Sequence, residues 1–239
     1  MLIFELMNLK GMHKIKWLKK AAMDRKFLFI VMLFGLSSCF EIIQEIDLNE
    51  DGSGHLEVVL NFSRSQTKID ALLLLDQVNG HSIPTLKKTE EKFNTLVDSA
   101  RSSKGITQVK SHFDQDQYIF EFSCDFDKIE RINQRVYQIA KMKDSAAVLN
   151  QLFTYKNQVF KQSLGKPMIK AFNKMSMADR EVLVGADYTS IFRFKKEVIS
   201  NSNQAATLTP HKKVVILHSS VMELIHHPER VNHTIKVKK

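Results

Sequence analysis

The two cysteines of this 239-residue chain lie in different sequence contexts, and the first of them carries the clearest chemical signal. Cys39 follows an unbroken apolar run from Phe27 to Leu36 and two small serines, and a basic pair precedes that run. A positive start, an apolar segment of about 7–15 residues and a small-residue site are typical of a cleaved secretory signal. The spacing therefore predicts export of the chain and cleavage beside a thiol.

The quartet Leu36-Ser37-Ser38-Cys39 resembles the bacterial lipobox, in which an aliphatic residue and two small residues precede an invariant cysteine. The resemblance implies diacylglycerol on the sulfur of Cys39, cleavage before Cys39 and acylation of the new N-terminus. Two or three acyl chains make a stable membrane anchor, whereas one chain binds only marginally. An ordinary secretory signal or a short uncleaved anchor is the alternative, although the run falls well short of the ~20 residues that span a bilayer.

This assignment divides the chain into a signal peptide, residues 1–38, and a single mature domain, residues 39–239. Met23 alone would open a signal of ordinary length, so residues 1–22 are interpreted as an over-extended start or, if translated, as a Lys-rich surface helix around Trp17. The first 38 residues carry seven Lys and Arg against two acidic residues, which leaves +4 of the formal +9 for the mature part. A small excess of interleaved charge argues against a nucleic-acid partner.

The second cysteine, Cys124, lies in an alternating segment that ends at Phe126. Alternation places it on the aromatic face, so it is predicted to be a buried small hydrophobe and not a nucleophile.

The chain also has a group of late histidines, of which His226 and His227 are adjacent and would face opposite ways in a strand. No HExxH spacing occurs, so we predict neither a metal site nor a cofactor. The late histidines are His211, His218, His226, His227 and His233.

The segment from Asp47 to Gly54, which ends in Asp51-Gly52-Ser53-Gly54, matches the opening of a calcium loop, which places oxygen ligands at alternate positions before a glycine. The twelfth position of such a loop should be a bidentate Glu, and here it is Val58. The flanking segments also alternate like strands, whereas an EF-hand needs helices. The motif is therefore predicted to be a hairpin turn in which Gly supplies a positive φ.

The mature part contains segments with the two-residue period of strands and segments with the three-to-four-residue spacing of helices. It has no internal repeat and no linker. Alternation predicts strands, and spacings of three and four residues predict helices. The expected fold is α+β, a mostly antiparallel sheet with amphipathic helices packed on one face. Strands are predicted near 40–48, 56–62, 109–113, 118–126, 188–194, 214–218 and 231–237, helices near 65–75, 86–100, 129–139 and 178–184, and an irregular hairpin at 152–160.

Two stretches, at 39–54 and 73–80, resemble uncharacterised lipoproteins of Bacteroidetes-type bacteria. The order of signal, cysteine, strand, DGSG turn and strand is similar to the LppM-type lipoprotein domain, as is, more loosely, the closing pattern from Ala186 to Val198. These resemblances imply an envelope location and an α+β fold, and the LppM type implies binding of membrane lipids or glycolipids. No binding residues are transferred, because Lys195 and Lys196 stand where that family favours another sequence.

Together these patterns predict a non-enzymatic lipoprotein of the bacterial cell envelope, anchored by lipid on Cys39, with the outer membrane as the expected location. Its domain is expected to bind a lipid, a glycolipid or an envelope protein. One alternative is a structural or assembly lipoprotein without a ligand pocket. A third hypothesis is a hydrolase whose site the sequence does not reveal, since the chain lacks GxSxG, SxxK and P-loop signatures.

Overall fold

The structure is a computed structural model that describes residues 40–75, 77–78, 81–133, 152–174, 180 and 183–239. The strands are β1 (Glu41–Leu48), β2 (Gly54–Asn61), β3 (Gln77–Val78), β4 (His81–Ser82), β5 (Ile106–Asp114), β6 (Ile119–Phe126), β7 (Phe153–Lys156), β8 (Val159–Gln162), β9 (Asp187–Phe194), β10 (Val198–Asn201), β11 (Thr207–Leu208), β12 (Val214–Ser220) and β13 (His233–Val237). The helices are α1 (Gln66–Leu73), α2 (Leu86–Arg101), α3 (Gly165–Lys174) and α4 (Val221–His226), with short 3₁₀ turns at Ser63–Ser65 and Pro228–Val231.

The strands form a seven-stranded sheet in the order β11-β12-β9-β1-β2-β6-β5 and a four-stranded sheet in the order β10-β13-β8-β7, while β3 pairs with β4. Neighbours are antiparallel except for β1 and β9, which are parallel. The α+β class predicted from the sequence is confirmed, but with two principal sheets where one was expected. The packing of helices on one face stays a prediction.

Strand register explains how the two sheets share a core. Ile46 lies opposite Leu56 on β2 and Phe192 on β9, so the apolar residues of neighbouring strands fall on one face of the seven-stranded sheet. Phe160 and Ile235 of the four-stranded sheet are completely buried in the same cluster. The two sheets therefore pack face to face, and we call this side of the seven-stranded sheet its inner face.

A second core cluster lies where β1 begins. It combines Phe40, Tyr188 and Leu217 with residues of α4, and Met168, Ile169 and Phe172 of α3 pack against it. We call this the Phe40 end of the domain. The turn between β1 and β2 marks the opposite end, and the eight residues of β1 separate the two by about 23 Å.

Most predicted strands are confirmed, with local differences. Tyr118 belongs to the turn before β6, where its φ is 54°, and not to the strand. The segment predicted as an irregular hairpin is the regular β7–β8 hairpin, closed by Asn157 and Gln158 at φ values of 51° and 60°. Only residues 129–133 of one predicted helix are described, and most of the helix predicted at 178–184 lies outside the described residues. Two helices, α3 and α4, were not predicted.

Candidate functional site

Phe40 is the first residue that the structure describes, and it is already part of the core. Its side chain is 7% exposed and stacks on Phe62 with the ring centroids 4.9 Å apart. Its carbonyl accepts a hydrogen bond of 2.9 Å from the N–H of Asp187. The predicted signal peptide and lipobox, with Leu36, Ser37, Ser38 and Cys39, lie outside the described residues. Because consecutive Cα atoms are about 3.8 Å apart, Cys39 is attached to this end of the domain without a linker.

Helix α1 also lies at the Phe40 end. The turn before β6 holds it there, because the hydroxyl of Tyr118 donates to Asp70 and the side-chain amide of Gln66 donates to the carbonyl of Asp116 at 2.5 Å. No residue of α1 is buried. Its last turn and the residues just after it present Leu72, Leu74 and Leu75 to solvent, with Leu74 87% exposed. An apolar surface of this kind is typical of a contact site.

A groove with two apolar walls and lysines along one edge runs along α3 at the same end. Ile169 and Pro228 supply its apolar walls, and three lysines spaced four residues apart form a stripe along the exposed side of the helix. We call it the α3 groove; its volume is about 490 Å³. At 1.5 Å per residue the lysine stripe extends about 12 Å along the helix axis. The lining residues are Lys166, Ile169, Lys170, Asn173, Lys174 and Pro228.

Close backbone packing fixes the two walls of the α3 groove relative to one another. A Cβ on Gly165 would lie 2.3 Å from the carbonyl oxygen of Pro228, so only glycine allows this approach. The N–H of Gly165 donates to Asn232 Oδ1 at 3.0 Å. On the other side of that turn, Gln162 Nε2 donates to the carbonyl of Val231 at 2.8 Å and Asn203 Nδ2 to that of Arg230 at 2.6 Å. These hydrogen bonds and the close approach at Gly165 therefore fix the start of α3 against the turn that contains Pro228.

The DGSG turn lies at the end opposite Phe40. Ser53 donates to Asp51 Oδ1 twice, from its N–H at 3.0 Å and its hydroxyl at 2.7 Å, and these hydrogen bonds lower the pKa of that carboxyl. Gly52 has a φ of 87°, which is the conformation that the turn prediction required. Within the described residues no group of three or more His, Cys, Asp or Glu side chains is placed to hold a metal ion.

The late histidines are dispersed over the domain. His233 is buried in the core, with its ring 5.1 Å from that of Phe192, and burial lowers its pKa to about 4. His218 lies on the outer face of the seven-stranded sheet, with Nδ1 2.9 Å from Thr189 Oγ1. His226, the last residue of α4, and His227, which follows it, are exposed, and His211 lies in an exposed turn. The second cysteine, Cys124, is 1% exposed, as predicted, and burial raises its pKa to about 12.

The outer face of the seven-stranded sheet carries two groups of titratable contacts. His55 Nδ1 lies 2.7 Å from Asp125 Oδ1, and Arg193 bonds to Glu45 and Asp47. The side chains of these pairs are partly exposed. Acidic residues predominate there: Glu41, Glu45, Asp47, Glu57, Glu121, Asp125 and Asp187.

The lysine stripe is the feature that the sequence interpretation missed. The pattern is present in residues 165–174, where lysines recur every four positions and Met168, Ile169 and Phe172 occupy the other side. Pro167 falls in the first turn of α3, where proline is tolerated. The sequence analysis predicts no helix or strand for this segment, which lies between the predicted hairpin and the next predicted helix.

Among the helices of the described residues, none has both the length and the apolar content needed to cross a bilayer. The described residues define a two-sheet α+β domain that the chain enters directly at a buried aromatic residue.

No family model matches the chain, and a search of curated proteins finds no match either. Its fold is loosely similar to the folded domain of the LppM protein of Mycobacterium tuberculosis, solved by NMR, with a TM-score of 0.37 and 12% identity over 84% of this chain and 89% of that one. The loose LppM-like similarity expected from the sequence is thus supported, while the likeness to Bacteroidetes-type lipoproteins stays a prediction.

Proposed function

We propose that this chain is a lipid-anchored lipoprotein of the bacterial cell envelope, cleaved before Cys39 and acylated on that residue. Its α+β domain is a binding domain, not an enzyme, and its ligand is a membrane lipid, a glycolipid or an envelope protein. The observation that carries the proposal is the burial of Phe40, because the first residue after the acylated cysteine is then already fixed in the core. The domain would stand on the membrane at its Phe40 end.

A binding role is proposed because the α3 groove offers charge and apolar surface in place of a nucleophile with a base. Lysine ammonium groups attract phosphate and carboxylate, while Ile169 and Pro228 contribute apolar contact. A hydrolase would need a nucleophile within hydrogen-bond reach of a base and a third group that orients the base. His55 and Asp125 form a base and its orienting group, but no hydroxyl or thiol among the described residues is hydrogen-bonded to that histidine. Thr189 and His218 place a hydroxyl 2.9 Å from a base, but the hydrogen bonds of the described residues give His218 no third group that orients it.

Replacement of the anchor cysteine tests the proposal. Cys39→Ser should remove the acyl chains and release the protein from the membrane fraction, and the intact mass of the wild-type protein should begin at an acylated Cys39. Cys124→Ala is the matched control, because it removes the other thiol from the interior without touching the signal. If Cys39→Ser still sediments with membranes after a carbonate wash, the lipid is not the anchor and the proposal is wrong.

A further inference from the structure

We infer that the exposed leucines at the end of α1 insert into the membrane to which the chain is anchored, as an apolar contact beside the acyl chains. We call Leu72, Leu74 and Leu75 the leucine tip. The inference deepens the proposed function and rests on it, because lipid on Cys39 is what brings the Phe40 end to the bilayer. The occupant is the boundary layer between the lipid headgroups and the acyl chains.

The exposure of the leucine tip is the first support. Leu74 is 87% exposed, Leu75 49% and Leu72 41%, and no residue of α1 is buried. These side chains keep much of their apolar surface in water, and its removal from water is favourable. Leu74 and Leu75 follow Leu73, the last residue of α1, so the helix ends before them.

The position of the leucine tip relative to the anchor is the second support. Asn61, the last residue of β2, pairs with Glu41, and α1 follows after one short turn. The hydrogen bond from Tyr118 to Asp70 holds α1 beside the start of β6. Because β6 lies two strand spacings of about 4.8 Å from β1, Tyr118 is only about 10 Å from Phe40 across the sheet.

Another exposed apolar side chain lies on the other side of Phe40. Val184, which is 58% exposed, comes three residues before Asp187, whose N–H donates to the carbonyl of Phe40. In the order β9-β1-β2-β6, Val184 lies on the β9 side of the anchor and the leucine tip on the β6 side. Four of the seven large apolar side chains exposed in the described part of the chain thus flank the attachment point. A bilayer that holds the anchor can contact both sides at once.

The hydrogen bonds that hold α1 involve carboxylates and not basic side chains. Tyr118 donates to Asp70, and the turn before β6 begins at Asp114 and contains Asp116. Lipid phosphates repel carboxylates, so we assign the attraction to the apolar surface of the leucines. We therefore expect contact with vesicles of neutral lipid, and high salt should not remove it.

Quenching of a fluorophore by spin-labelled lipids tests the inference. Ala71→Cys places an exposed thiol on α1 beside the leucine tip, and the buried Cys124 does not compete for the label. The acylated, labelled protein is reconstituted in phosphatidylcholine vesicles that carry the spin label near the top or near the end of an acyl chain. The anchor holds the protein in both, so quenching reports the depth of α1. We expect quenching from the upper label, since interfacial side chains enter about 5–10 Å.

The variant Leu74→Ser, Leu75→Ser should lose most of this quenching. Burial of a leucine side chain favours contact about tenfold or more, so loss of two should lower the contact equilibrium about 100-fold. The matched control is Ile199→Ser, Leu208→Ser, which removes two exposed apolar side chains from β10 and β11 and should keep the quenching. Near-ultraviolet circular dichroism checks that both variants are folded.

Acylated protein that is not quenched by the upper label would overturn the inference, and so would a leucine-tip variant that behaves like the control. A label signal that depends on the protein-to-lipid ratio would assign the leucine tip to a second copy of the chain, which also overturns it. Intact mass, measured first, separates these results from a failure of the proposed function. Protein without an acyl chain refutes the proposed function and, with it, the inference.

Discussion

Two glycines of the DGSG turn are required for different reasons, and comparison of alanine at each position measures the difference. Gly52 has a φ of 87°, and an added Cβ would meet Tyr155 Cδ1 at an ordinary 3.4 Å. Its requirement is conformational. Gly54 has no such φ, but an added Cβ would lie 2.0 Å from the carbonyl oxygen of Asp47 and 2.8 Å from Phe126 Cζ. Its requirement is steric.

The expected losses of unfolding free energy follow from the backbone angle of Gly52 and the contact distances at Gly54. A left-handed conformation costs an L-residue about 1–2 kcal/mol, which is the expected loss for Gly52→Ala. At Gly54 a backbone oxygen blocks the new methyl group, so the β1–β2 pair must separate by about 1 Å, and we expect a loss of about 3 kcal/mol or more. Both substitutions remove the same freedom from the unfolded chain, so that contribution cancels in the comparison.

Urea unfolding followed by far-ultraviolet circular dichroism gives both losses as shifts of the midpoint at a constant slope. Two further substitutions separate the mechanisms. Gly52→Asn should cost less than Gly52→Ala, because Asn tolerates positive φ, and Gly52→Val should cost more, about 1–3 kcal/mol. At Gly54 Asn should be at least as costly as Ala. A Gly54→Ala protein as stable as Gly52→Ala would refute the steric account of this turn.

Three other predictions need no knowledge of the ligand. Burial lowers the pKa of His233 from 6.5 to about 4, so below pH 6.5 the unfolded chain takes up a proton that the folded domain does not bind. The free energy of unfolding should therefore fall by about 2 kcal/mol between about pH 7 and pH 5. A free energy of unfolding that does not change with pH, or the same change in His233→Gln, would contradict this. The only tryptophan is Trp17, so protein processed before Cys39 should emit from tyrosine alone, and a tryptophan band from homogeneous native material would mean that the N-terminus is retained. Burial raises the pKa of Cys124 to about 12, so alkylation should be slow in buffer and fast in urea, and rapid labelling of folded protein would show that the strand opens.

Local pattern was sufficient to predict the strands whose two sides face different environments. β9 is the clearest case, because Tyr188, Ser190, Phe192 and Phe194 are buried and the residues that alternate with them are partly exposed. The partner of each strand was beyond prediction, since alternation specifies a face and carries no information about the neighbour. The parallel β1–β9 pair and the separate four-stranded sheet could therefore be learned only from the structure.

The same distinction applies to the candidate site. Cys39 could be predicted as the anchor because its signal is contiguous in the chain, from the apolar run to the cysteine. The α3 groove is formed by α3 and by a turn more than fifty residues later, which Gly165, Pro228 and Asn232 bring together. The lysine spacing was visible in the sequence, but its position beside Phe40 depends on tertiary packing.

The position of β1 in the middle of the sheet has a consequence for the timing of maturation. A chain exported from its N-terminus completes the β1–β2 hairpin early, but the other edge of β1 must wait for β9, which pairs Glu41 with Asp187. The residues that enclose Phe40, among them Ala186 and Leu224, arrive equally late. At synthesis rates of about 5–20 residues per second, this interval is on the order of ten seconds. If Cys39 is processed as proposed, its neighbour Phe40 is not yet enclosed during that window, and we expect acylation to compete with closure of the β1–β9 pair.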